Sequence, residues 1–327
     1  VENKQVSAGR RSSPAVRRLL VAYAILNAVL YSMLLPLWEG FDEPFHFAYV
    51  QQLANGQGFP DARNARLSRE VRQSIRLAPA SDSVKANLPE VATYSEYFSW
   101  PAARRSDAQR SLREIPRDYR WQPSDAGNYE AQQAPLAYIL LAAPERLMAG
   151  IALPLRVLIL RIMAALAGAF LLCAGTVALC SELPAGETQT DVVLFCVLSS
   201  QMTWATLAHV ANDWLAVPLA VWALVFMSRA AKSPTSAKIL YASLILSAGL
   251  LTKAYFLALA PVLFAIAAIK GKMRGCAINA AVIAICAGPW YVRNYLLYHT
   301  VTGMQQARAG VDPFQVFRAA FAMIGCV

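Results

Sequence analysis

Long uninterrupted apolar runs make up most of this chain, and a single extended polar stretch separates the first of them from the rest. Apolar blocks cover residues 19–37, 136–152, 157–180, 192–209, 214–228, 239–252, 255–269 and 276–292. Each approaches or reaches the ~20 residues that a helix needs to cross about 30 Å of hydrocarbon. A soluble core would scatter its apolar residues at helical or strand spacing, and these blocks do not. The pattern predicts an all-α membrane protein, a polytopic bundle of transmembrane helices.

The block 136–152 differs from the others. It carries Pro144-Glu145-Arg146 in its middle and has Pro135 and Pro154 at its edges, and charge at the centre of a bilayer is costly. With this block lying flat on the membrane, seven spans remain. The basic N-terminus (Arg10, Arg11, Arg17, Arg18) then shares a side with Arg229, Lys232 and Lys238 and with Lys270, Lys272 and Arg274, as the positive-inside rule requires. If the block spanned, the last two clusters would change sides. The loop 181–191 falls on the basic side although it is acidic; acidic residues weigh little in this rule.

The organisation predicted from this topology is a basic cytoplasmic N-terminus (1–18), a first transmembrane helix (19–37), an outer loop with interfacial helices (38–155), a six-helix transmembrane region (156–292) and an outer C-terminal segment (293–327). The first span reads as a retained anchor, because no small-residue cleavage pattern follows it. The chain starts with Val and stops just after an apolar patch, so either end is expected to be incomplete. In the outer loop a helix is predicted from Asp42 to Ala54, ended by Asn55-Gly56. Residues 61–128 have weak periodicity and receive no assigned element.

Composition agrees with a membrane: apolar residues make up 57% and charged residues 15%. The net charge of +10 raises the question of nucleic acid. The basic residues sit in short clusters beside apolar runs, where topology explains them, so nucleic-acid binding is excluded. All six cysteines (Cys173, Cys180, Cys196, Cys276, Cys286, Cys326) lie in or beside the C-terminal hydrophobic part, and no disulfide framework is implied.

Four places carry candidate chemistry. Asp42, Glu43 and His46 directly follow the first span among Phe41, Phe45 and Phe47. Asp42 and His46, four apart on a helix, share a face. Asp42 could simply cap that helix, with Glu43 and Pro44 in its first turn; two adjacent acids at a membrane edge go beyond what capping needs. Asp213, in His209-Val210-Ala211-Asn212-Asp213-Trp214, falls by parity on the same side and is either a site acid or a cap. Lys253, at an outward turn, departs from positive-inside and is either a snorkelling ammonium or an anion site. Tyr291 and Arg293, at the outer end of the last span, are either interface anchors or an arginine clamp for phosphate. Asp42, Asp213 and His46 together form a candidate divalent-metal set. No Gly-rich phosphate loop, zinc spacing or Gly-x-Ser-x-Gly elbow is present.

Four stretches together resemble the GT-C glycosyltransferases, in particular the bacterial protein mannosyltransferase and lipid A aminoarabinose transferase group. They are Asp42-Glu43-Pro44-Phe45-His46 with Leu53-Ala54-Asn55-Gly56, Tyr129-Glu130-Ala131-Gln132-Gln133-Ala134-Pro135-Leu136-Ala137-Tyr138, Asn212-Asp213, and Leu251-Thr252-Lys253. The resemblance implies a GT-C-like fold and an inverting membrane glycosyltransferase on the outer face of a bacterial plasma membrane. It implies a polyprenyl-phosphate-linked sugar as donor and a glycan, lipid or protein as acceptor. Asp42 would be the catalytic carboxylate with Glu43 beside it, Asp213 the second loop acid, and His46, Glu130, Lys253, Tyr291 and Arg293 substrate-binding residues. The family often has His-Pro-Pro or Lys-Pro where this chain has Gln133-Ala134-Pro135, which leaves donor phosphate to Lys253 and Arg293. Relatives also continue with more spans. The alternatives are a non-catalytic or truncated glycolipid-binding relative, and a transporter, although no internal repeat is visible.

Overall fold

The computed structural model describes residues 14–302 apart from Phe41 and Pro184. Arg10, Arg11, Phe41, Cys326 and the part of the C-terminal segment beyond 302 lie outside the described residues. The chain begins with α1 (Pro14–Leu34) and α2 (Glu43–Ala54). Residues 61–128, unassigned from sequence, form a small mixed subdomain: β1 (Arg66–Ser68), α3 (Arg69–Leu77), β2 (Pro79–Ala80), α4 (Asp82–Asn87), β3 (Ala92–Thr93), α5 (Tyr94–Ser99), α6 (Ala102–Arg113) and β4 (Pro123–Gly127). β1 pairs antiparallel with β4, and β2 pairs parallel with β3. The fold is therefore mostly helical, and the all-α expectation is corrected by these four short strands. Helices this short persist through their caps: Ser68, Ser81 and Thr93 each accept the hydrogen bond of a first-turn N–H.

The second half comprises α7 (Leu136–Leu147), α8 (Leu153–Glu182), α9 (Glu187–Ser199), α10 (Gln201–Leu207), α11 (Asp213–Lys232), α12 (Ser236–Leu250), α13 (Ala260–Cys286) and α14 (Gly288–Tyr298). Three helices are long and apolar enough to cross a membrane: Ala15–Leu34, Leu153–Glu182 and Asp213–Lys232. Lys272–Cys286 and Gly288–Tyr298, bent by 56°, make a fourth if the pair counts as one span. Large apolar side chains such as Leu34, Phe170 and Ile285 stay exposed on these helices, the condition expected where lipid replaces water.

The count of seven is thus not reproduced, for identifiable reasons. The block 192–209 breaks at Ser200 between α9 and α10, where Thr203 Oγ1 and Trp204 Nε1 donate to the freed carbonyls of Val197 and Leu198 at 2.9 and 2.6 Å. The block 255–269 opens with a 3-10 turn, Ala254–Leu259, and 239–252 corresponds to the 15-residue α12. The block 276–292 bends where Pro289, which has no N–H to donate, enters α14. At 12 residues α7 is about 18 Å long, too short to span, and it packs along α2.

Ion pairs define one end of the bundle. Glu182 pairs with Arg229 and Lys232, and Arg17 pairs with Glu187 and Asp191. The acidic loop that sat uneasily in the charge argument is neutralised there by the basic residues around it. The opposite end carries the candidate site.

Candidate functional site

The chain leaves α1 through a tight turn with two non-glycine residues in left-handed geometry, Trp38 (φ 67) and Asp42 (φ 54). Trp38 is buried and donates its indole N–H to Ser74 at 3.0 Å. Gly40 is required by packing: a Cβ there would lie 2.7 Å from His209 Cβ. Close approach at Gly40 brings the turn after α10 against the turn before α2. Val210 N–H then donates to Glu43 at 2.9 Å.

The two neighbouring acids have opposite fates. Glu43 is fully buried; Arg161 from α8 grips its carboxylate through two nitrogens while also donating to the carbonyls of Leu35 and Pro36. Burial alone would raise its carboxyl, but Arg161 and the Val210 N–H hold it below the ordinary range. Glu43 therefore joins α1, α2, α8 and the 208–212 turn, with its carboxylate taken up by Arg161 and the Val210 N–H. Asp42 is exposed and occupies the N-cap position of α2 in left-handed geometry without making a side-chain cap bond. Such a conformation costs of order 1–3 kcal/mol in a non-glycine residue. Its carboxylate instead accepts the Tyr129 hydroxyl. Among the described residues no arginine or lysine pairs with it.

Asp42 lies on the wall of a cleft of about 360 Å³ shared with Glu39, Phe45 and Val84. The far wall is fastened through Glu39, which accepts from Ser81 N–H and the Tyr94 hydroxyl at 2.9 and 2.8 Å. Behind Asp42 stands Glu130. Asn128 places it, donating to the Phe45 carbonyl at 3.1 Å and accepting the Glu130 N–H at 3.1 Å. Glu130 is only 6% exposed, and its Oε2 has no hydrogen-bond partner. Burial pushes this carboxyl up to about 7, with the nearby Asp42 charge adding and Gln133 and Lys253 opposing. His46 Nδ1 is 3.6 Å from that oxygen and hydrogen-bonded at 2.8 Å to the hydroxyl of Tyr138. Burial keeps His46 well below its ordinary value, so the imidazole is neutral and the contact with Glu130 is not an ion pair.

The remaining candidates reach the same end by two further turns. Asn212 donates to Gln133 and to the Thr252 carbonyl at 3.3 and 3.2 Å. Lys253 pairs with Asp213 at 2.5 Å. The turn carrying Lys253 needs Gly249, whose absent side chain leaves room for the Phe256 ring. Tyr291 donates to Leu250 at 3.0 Å and closes this turn from α14. Arg293 is oriented elsewhere: it donates to the Pro60 carbonyl at 2.8 Å and lies 5.0 Å from the Trp290 ring. The structure thus gathers Asp42, His46, Glu130, Asp213 and Lys253 at one end of the bundle and gives Arg293 a separate contact. Asp42, Asp213 and His46 do not form a metal set; each has a different partner, and among the described residues no group of three His, Cys, Asp or Glu is arranged to hold a metal ion.

The family of predicted membrane proteins designated DUF2142 matches residues 25–316 of this sequence. The chain belongs to the DUF2142 family. No curated protein and no solved structure matches it. Sequence reasoning missed a buried charge network in this DUF2142 chain: Arg156 bonds Glu145 and Glu70, Arg120 lies 3.4 Å from Glu145, and Gln51 donates to Glu70 at 2.6 Å. The signal was present in the charge that made 136–152 doubtful. Glu145 is there to meet Arg156 and Arg120.

Proposed function

We propose that this DUF2142 chain is a membrane glycosyltransferase that moves a sugar from a polyprenyl-phosphate donor to an acceptor hydroxyl, with inversion, at the outer face of a bacterial plasma membrane. The observation that carries this is Asp42: a carboxylate in a strained backbone position, with no side-chain cap bond and no cation partner among the described residues, on the wall of a cleft at the end of a transmembrane bundle. The GT-C resemblance assigns the same residue as the catalytic acid.

A lipid-linked sugar keeps its prenyl tail in hydrocarbon and its phosphate at headgroup depth, so the site needs apolar flanks, a carboxylate and a cation. Asp42 accepts the proton of the acceptor hydroxyl as its oxygen attacks the anomeric carbon. The bond from that carbon to the phosphate oxygen breaks on the opposite face, and the electron pair leaves with the phosphate. Lys253, held by Asp213, neutralises the departing phosphate. Glu130, protonated in part near neutrality, supplies a hydrogen-bond donor that an ionised carboxylate cannot be.

Membranes carrying the chain, incubated with labelled polyprenyl-phosphate sugars, test this directly. Asp42→Asn keeps size and removes basicity, so transfer should fall by about 10²–10⁴ with folded protein unchanged. Retention of more than about a tenth of the activity places the base elsewhere. Absence of transfer by the parent chain with every donor sinks the enzyme reading.

A further inference from the structure

The C-terminal half of α2 lines a second cleft, of about 280 Å³, whose chemistry differs from that around Asp42. Its wall is rich in carboxamides and carries no carboxylate. Gln51 and Asn55 are held in place by Glu70 and Arg120. Gln52, Gln57 and Asn64 have side chains without a protein partner among the described residues. Trp121, 50% exposed, completes the lining, with Arg120 over one side of its ring 5.1 Å from the centroid.

This set has a definite ligand chemistry. A carboxamide donates and accepts at once, as does a sugar hydroxyl, so several unpartnered amides on one wall suit a neutral, hydroxyl-dense molecule. An exposed indole offers a flat apolar face on which the C–H side of a pyranose ring can lie. Of the cleft's two cations, Arg120 pairs with Glu145 and bonds Asn55, and Arg66 donates to the Asp125 carbonyl at 3.0 Å, so competition by phosphate is part of the test below. The volume lies just below the range of ordinary ligand pockets, about 300–1,000 Å³, and suits a short stretch of oligosaccharide.

We infer that this cleft is a saccharide-binding subsite for neutral oligosaccharides. The residues along α2 and its C-cap that line the cleft, Ala48 to Asn55, follow Asp42 along the helix, about 9–20 Å away at 1.5 Å per residue. Resting on the glycosyltransferase reading, the subsite holds an acceptor glycan away from its reacting end. Sugar binding itself does not depend on that reading.

The test is a titration of the full chain in lipid nanodiscs with maltotriose, cellotriose and chitotriose, read by saturation-transfer NMR without any donor. At least one should bind saturably, and Trp121→Ala should weaken it about tenfold, the equivalent of about 1.4 kcal/mol. A Gln52→Leu, Asn64→Leu double variant should weaken it as well, and inorganic phosphate should not compete. The idea is overturned by no saturable binding of any of the three, by parental affinity in both variants, or by displacement with phosphate. Because no donor is present, this outcome is separate from loss of transfer in Asp42→Asn.

Discussion

Two groups of carboxylates lie within the segment between α1 and α8 and behave as opposites. Glu43, Glu70 and Glu145 are buried against arginines from α8 and from the 3-10 turn before β4. Among the described residues no arginine pairs with Asp42 or Glu130; one accepts a tyrosine hydroxyl and the other keeps a carboxylate oxygen unpartnered. The first group joins this segment to the helices that follow it. Removing one partner there leaves a charge buried and alone. The second group is left available for protons and substrates. Proximity in sequence does not sort them, since Asp42 and Glu43 are neighbours.

The contrast predicts its largest structural effect at Arg156. Arg156→Met leaves Glu70 with only the Gln51 amide and Glu145 with Arg120 alone, so thermal unfolding of the purified chain should show a loss of about 3–5 kcal/mol. Arg161→Leu should act alike through Glu43, whereas Asp42→Asn should melt with the parent. Parental melting of both arginine variants would abolish the distinction.

A smaller effect is expected on the other side of the comparison. Lys253→Met keeps the apolar stem and removes the charge, and donor binding should weaken by about 1.5–3 kcal/mol, the range for hydrogen bonds to charged groups. Membrane insertion should be normal. Unchanged donor affinity in Lys253→Met and Arg293→Met alike would remove the proposed phosphate contact. The separate placement of Arg293 predicts the weaker loss for Arg293→Met.

The subtlest effect concerns pH. Burial raises Glu130 from 4.5 to about 7 in the folded chain, so between those values the folded state holds more protons than the unfolded one. Its contribution to stability therefore falls as pH rises through that window and stays reduced above about 7. Glu130→Gln is neutral throughout: it should match the parent near pH 4.5 and gain on it above about 7. Parallel melting curves across this range would move Glu130 into the arginine-paired group.

Local pattern determined a definite part of this protein. The apolar runs located α1, α8 and α11, and Pro44 with Asn55-Gly56 bounded α2 correctly. Charge in 136–152 marked off a short helix, α7, and Asp42, Asp213 and Lys253 lie at one end. All of these depend on residues a few positions apart, where helical spacing, caps and hydropathy act. The tertiary structure alone decided the rest. Arg161 reaches Glu43 across 118 residues, and Arg156 reaches Glu70 across 86. No local rule says which of two adjacent acids an arginine that distant will meet. Residues 61–128 hold their short strands and helices through contacts with α2, α7 and α8, and such segments have too little propensity of their own to be read in isolation. The split at Ser200 likewise depends on side chains folding back onto carbonyls, which hydropathy does not register.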